Sequence, residues 1–129
     1  MSQVRIYGHR HQLEEHRTEL SNCIHSCLVE AIRLPESKRF QRFLPLDDVD
    51  FIHPPDRTND YIIIEISMFT GRSIETRKRL IRLLFERIEV QVGIAPHDVE
   101  ITIIESPAEN WGIRGRCGDE LSLGYDVEV

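Results

Sequence analysis

Tyr61-Ile62-Ile63-Ile64-Glu65-Ile66-Ser67 is the stretch on which the fold turns. Its β-branched residues favour extended backbone, and alternation puts Ile62, Ile64 and Ile66 on one face with Ile63 on the other. Sixty residues earlier stands a weaker copy, Val4-Arg5-Ile6-Tyr7, whose Val4 and Ile6 fall on Ile64 and Ile66. The same offset lays Leu20, Ile24, Leu28 and Ile32 on Leu80, Leu84, Ile88 and Val92. Those positions recur every four residues, as the apolar side of a helix does. Each helical pattern ends in an aliphatic residue and a nearby proline, Leu34-Pro35 and Ile94-Ala95-Pro96, and each proline precedes a second strand candidate, Arg39 to Leu44 and Val99 to Glu105.

Each half thus reads strand, helix, strand, and the chain reads as a duplication. A right-handed crossover makes the two strands of such a β-α-β unit parallel and lays the helix on one sheet face. The expected fold is a two-layer α+β domain with a four-stranded sheet and both helices on one side. Its first unit is 1–44, an acidic, proline-containing insert is 45–60, the second unit is 61–105 and a glycine-containing tail is 106–129. A ferredoxin-like βαββαβ domain is the competing topology. The second sheet face carries aliphatics as well, and a single subunit offers it no third layer, so assembly through the sheet is expected.

Composition narrows the function classes. The chain has 129 residues, 22 acidic against 16 basic, for a net charge of −6. A chain of this length buries roughly 65–70% of its unfolded surface and needs no disulfide or metal staple. Apolar runs such as Ile62-Ile63-Ile64 are far short of a bilayer span, and the charged first thirty residues lack a secretory h-region, so the expectation is a cytoplasmic protein with free thiols and no membrane partner. Nucleic acid is not an expected partner either, because no basic stripe is interleaved with aromatics. Charge is unevenly placed, however: residues 72–87 hold six basic and two acidic side chains, and 98–129 hold two basic and eight acidic. Fourteen of the basic residues are arginines, the side chain suited to bidentate carboxylate contact.

Four stretches carry a resemblance: Arg39-Phe40-Gln41 after Pro35, Gly71-Arg72-Ser73, Gly93-Ile94-Ala95-Pro96-His97-Asp98-Val99, and Glu105-Ser106-Pro107-Ala108-Glu109-Asn110-Trp111-Gly112. In this order and spacing the chain resembles the tautomerase superfamily, and within it the longer-chain group that includes malonate semialdehyde decarboxylase. The resemblance implies tandem β-α-β units assembled as a homotrimer. It also implies proton transfer by an amino-terminal proline amine, whose pKa an apolar pocket lowers. Here the second residue is Ser2, so the expected catalytic group is the Ser2 α-amine, provided Met1 is removed. Arg72 matches the family's carboxylate-binding arginine, with Ser73 as the expected N-cap of the second helix.

Two further departures matter. Where decarboxylase-like members carry a second arginine this chain has Thr70, and where they carry an aspartate before Arg39 it has Lys38. One of the three groups that decarboxylation asks for is present, which disfavours a decarboxylase or a hydratase. Lys38 and Arg39 remain as substrate-binding candidates, with His25 at the edge of the first helix's apolar face and Trp111 as a pocket wall. Solvated basic side chains, a structural histidine and a packed tail residue are the respective alternatives.

No metal site and no cofactor are expected. Cys23 and Cys27 lie one turn apart near several histidines, but no second ligand pair follows, and Gly112 to Gly118 opens no helix. The reading is an isomerase moving a proton on a small 2-oxo acid or its enol. The alternative is a proline-less paralogue that binds a small carboxylate, or only assembles, without turnover.

Overall fold

The computed structural model describes residues 1–129. Strand β1 (Ser2–His9) runs directly into helix α1 (Arg10–Ile32), and β2 (Gln41–Leu46) follows. The second half gives β3 (Ile62–Phe69), α2 (Ile74–Val92) and β4 (Val99–Ser106), and the tail forms a small hairpin, β5 (Gly112–Ile113) and β6 (Arg116–Cys117). The sheet order is β2-β1-β3-β4, with β1–β2 and β3–β4 parallel and β1–β3 antiparallel. That is the tandem β-α-β arrangement, and the ferredoxin-like alternative falls.

The duplication is exact over its best-preserved parts. β1 and β3 begin and end 60 residues apart and share one burial pattern, and α1 and α2 end 60 residues apart. The four positions anticipated for the second helix, Leu80, Leu84, Ile88 and Val92, are its buried residues. They pack with Leu20, Ile24, Leu28 and Ile32 over Val4, Ile6, Ile62, Ile64 and Ile66. Cys23 and Cys27 are buried in the same core. The antiparallel register sets Arg5 opposite Glu65, its own counterpart in the repeat. A local two-fold axis therefore passes between them. An exact repeat would oppose like charges there; instead Arg5 Nε meets Glu65 Oε1 at 3.1 Å, and Tyr7 Oη donates to the same oxygen at 2.7 Å.

Both helices end in the left-handed region, at Arg33 (φ 57°) and Gly93 (φ 82°). Glycine adopts that conformation freely and arginine does not. Arg33→Gly should therefore stabilise the fold by about 0.5–1 kcal/mol, seen as a higher urea midpoint at unchanged slope.

β2 starts at Gln41 rather than at Arg39. Its register against β1 opens at Val4↔Gln41, while Arg39 reaches to α1, where Nη1 donates to Asn22 Oδ1 at 2.7 Å and Ser21 Oγ at 3.2 Å. The insert is pinned rather than loose. Phe51 is buried and stacks on Tyr61, His9 is hydrogen-bonded to Asp48 and His53, and buried Asp98 accepts from Thr58 N and Oγ1 at 2.9 and 2.5 Å. No helix is long and apolar enough to cross a membrane.

Candidate active site

The beginning of β1 and the ends of β3 and β4 meet at one edge of the sheet. Ser2 pairs with Met68, Met68 with Glu105 and Phe69 with Ser106. Phe69 N donates to the Met1 carbonyl at 3.3 Å and Thr70 N to the Ser106 carbonyl at 3.0 Å, which fixes the chain as it leaves β3. It then turns through Gly71 at φ +149° into α2, whose N-cap is Ser73, with Oγ accepting from Thr76 N at 3.1 Å. Arg72 is held between these two fixed points.

Arg72 is 4% exposed. Nη1 donates to the Phe69 carbonyl at 3.2 Å, whereas Nε and Nη2 are buried with no partner. Those two nitrogens form one edge of the guanidinium plane, the edge that takes a carboxylate side-on with two parallel hydrogen bonds. Burial pushes the Arg72 pKa down, and Tyr125, Glu105 and Asp126 oppose the shift. An arginine stays charged under such a shift, so the site holds a desolvated cation with two free donors.

The α-amine of Met1 lies beside it. Its pKa falls from 8.0 to about 5, chiefly through burial and then through the positive charges of Arg72 and Lys38. The amine is thus a free base at neutral pH, where an exposed one would be largely protonated. Ser2 is itself buried, with Oγ unpartnered. Phe69 is buried, and Trp111 meets it edge-on at 5.2 Å and donates from Nε1 to Ser106 Oγ at 2.9 Å. These two rings form an apolar contact at the ends of β3 and β4.

The structure brings Ser2, Arg72 and Lys38 to the amine and sets Trp111 behind Phe69. It turns Arg39 and His25 to other partners: Arg39 bonds α1 as described, and buried His25 hydrogen-bonds through Nε2 to the Glu36 carbonyl at 2.9 Å. Three participants escaped sequence reasoning. Glu105 and Tyr125 lie within electrostatic reach of Arg72, and Phe69 closes its carbonyl side. Glu105 alone carried a signal, an acidic residue in phase with Val99, Ile101 and Ile103 on the inward side of a strand. Tyr125 comes from a tail without periodicity.

That tail crosses over the turn. A Cβ on Gly71 would sit 3.0 Å from the Val127 carbonyl, and Thr76 Oγ1 donates to the Val129 carbonyl at 2.6 Å. Gly71→Ala should therefore destabilise by more than about 1 kcal/mol in a thermal melt and lift the tail off Arg72, which faster hydrogen exchange at 125–129 would report.

A family model described as "Tautomerase enzyme" matches residues 38–114. The chain is 30% identical over 98 residues to the probable tautomerase YusQ of Bacillus subtilis (strain 168), covering 72% of this chain and 77% of that protein. Among solved structures it is similar to FG41 malonate semialdehyde decarboxylase inhibited by 3-bromopropiolate, with a TM-score of 0.76, 29% identity and coverage of 85% of this chain and 87% of the other. Native fused 4-OT shares the fold at a TM-score of 0.80 and 18% identity, over 95% of this chain and 99% of that one.

Proposed function

We propose, from the premise that this chain belongs to the tautomerase superfamily, that it is an isomerase exchanging a proton between carbon and oxygen of a small 2-oxo acid and its enol. One observation carries the reading: a buried guanidinium with a free two-donor edge stands beside the Met1 α-amine, whose pKa burial lowers to about 5. Arg72 Nε and Nη2 hold the substrate carboxylate, and Phe69 and Trp111 keep water from the carbon beyond it. In the enolising direction the free amine takes a proton from C3, the electron pair of that C–H bond forms the C2–C3 double bond, the carbonyl π pair moves to oxygen, and the ammonium gives that oxygen the proton and becomes a free amine again. Ketonisation is the reverse, with the ammonium returning its proton to C3. The base is the α-amine ahead of β1: the lowered pKa is that of Met1, and removal of methionine would pass the role to the Ser2 amine.

Assembly belongs to the same proposal. Glu65, Ile63 and Ile104 lie on the sheet face that the helices leave open, and Ile104 is among the exposed large apolar residues. One fold neighbour, fused 4-OT, is described as a trimer. A homotrimer closed over that face fits both facts, and a sedimentation measurement giving a monomer would rule it out.

Ser2 itself favours a second reading. The residue that follows Met1 is not proline, so its amine lacks the ring that fixes a proline amine's direction. In that case the pocket binds a small carboxylate without turnover. Intact mass, followed by proton–deuterium exchange at C3 of pyruvate in wild type, Ser2→Pro and Arg72→Ala, separates the two. Exchange by wild type that Arg72→Ala removes supports the isomerase. An inert wild type with an active Ser2→Pro protein selects the binding paralogue, and inert proteins throughout overturn the catalytic reading.

A further inference from the structure

Val99, Ile101, Ile103 and Glu105 share the side of β4 that faces the helices, since their partners on β3 are Ile62, Ile64, Ile66 and Met68. Three of the four are aliphatic, as an inward face demands. The fourth is a carboxylate at the end of the row Ser2–Met68–Glu105, in the candidate site. Its orientation is fixed from α2, because Arg77 Nη1 donates to Glu105 Oε1 at 2.6 Å. The second oxygen, Oε2, is buried and accepts nothing.

An ionised carboxylate is acceptor-only, and a buried acceptor left unmet is unfavourable. Arg72, within electrostatic reach of Glu105, has the opposite deficit, two buried donors with no acceptor. The two groups do not satisfy each other, since no hydrogen bond joins them. Unmet donors on Arg72 and an unmet acceptor on Glu105 thus stand within electrostatic reach of one another. Ser2 Oγ, also buried and unpartnered, adds a group that can act either way.

We infer that Glu105 is a specificity-determining residue that reads a hydrogen-bond donor next to the ligand carboxylate, so that a 2-hydroxy acid or the enol form is bound in preference to the 2-oxo form. The inference rests on the reading that Arg72 holds the carboxylate. With the carboxylate on Nε and Nη2, a hydroxyl on C2 directs its hydrogen at Oε2. A C2 oxo group would set lone pairs against that oxygen, and an unsubstituted C2 would leave it unmet.

The test is binding alone and needs no turnover. Lactate, pyruvate and propionate share a carboxylate and a three-carbon frame, and differ at C2 by hydroxyl, oxo or hydrogen. Isothermal titration with wild type should rank lactate above propionate by about tenfold, the size of one charge-assisted hydrogen bond, with pyruvate no tighter than propionate. In Glu105→Gln the amide oxygen keeps the Arg77 contact and the amide NH2 takes the place of Oε2, so the order should invert in favour of pyruvate. Equal binding of the three acids by wild type, or an unchanged order in a folded Glu105→Gln protein, overturns the inference. If the acids bind without rank and Arg72→Met abolishes that binding, the carboxylate reading stands and only the role of Glu105 falls. If none binds, both fall.

Discussion

Arg72→Met is expected to raise the melting temperature while lowering affinity for small carboxylates by about a hundredfold or more. The two effects have one cause. A guanidinium at 4% exposure with one hydrogen bond has been taken out of water without being fully satisfied. Each unmet buried donor costs about 1–3 kcal/mol, and a charged group lies at the upper end. Methionine fills similar volume with no polar atoms to satisfy, so the change removes that burden and loses only the bond to the Phe69 carbonyl. A net gain of about 1–3 kcal/mol, or several degrees in a calorimetric melt, follows for a domain of this size. Carboxylate binding disappears because it consists of the donors that were removed. Arg72→Lys should fall between the two, keeping a charge but losing the two-pronged edge. A melting temperature that drops in Arg72→Met would mean that the guanidinium is there to hold the turn, and the binding reading would lose its main support.

The same contrast explains what could be read from the sequence. Alternation, helix period and proline position survive duplication because each is enforced by burial on both sides of the core. Ile64 and Ile66 are as buried as Val4 and Ile6, and Leu34 and Ile94 occupy the same place after their helices. Ser73 was legible because a turn between strand and helix needs a cap, and Arg72 because Gly71-Arg72-Ser73 resembles the tautomerase superfamily. The start of β2 was not, since Arg39 and Phe40 have the composition of a strand but α1 competes for the arginine. His25 and Arg39 have the right chemistry for a site, but only three-dimensional packing decides which way a side chain on a helix edge or in a loop turns.

Glu105 and the amine show a different limit. An acid at an inward strand position is visible in the sequence, but its partner is not: Arg77, on α2, takes one oxygen and leaves the other. Likewise, nothing in the composition of the first two residues indicates that the terminal amine is buried. That burial arises from β1 entering the sheet at its second residue and from Phe69 binding the Met1 carbonyl. The positive charge concentrated after residue 71 then acts on the amine through Arg72, with Lys38 adding to it.

The Met1 α-amine should make both activity and stability fall with acidification, activity below its folded pKa of about 5 and stability across the window between 8.0 and about 5. For C3 exchange on pyruvate, kcat/KM should climb about tenfold per pH unit below 5 and be flat from about 6 to 8, because only the free amine can take the proton. An exposed α-amine would instead show its rise near 7.7–8.0. For stability, the folded pKa is about 5 and the unfolded value is 8.0, so between these limits the unfolded chain binds a proton that the folded chain refuses. Acidification through that window therefore favours unfolding. The loss begins as pH falls below about 8, is complete once pH is below about 5, and is absent above 8. Acetylating the amine removes the titrating group, so the acetylated protein should lose C3 exchange at every pH and show a flatter dependence of its urea midpoint on pH between 5 and 8. The lowered value also depends on Arg72 and Lys38, so Lys38→Met should shift the rise in kcat/KM upward by a fraction of a unit, and Arg72→Met, followed through the pH dependence of its urea midpoint, should raise the amine's pKa by more. A rise in exchange near pH 8 in the wild type would mean that the amine is solvated, and the general-base assignment would fail with it.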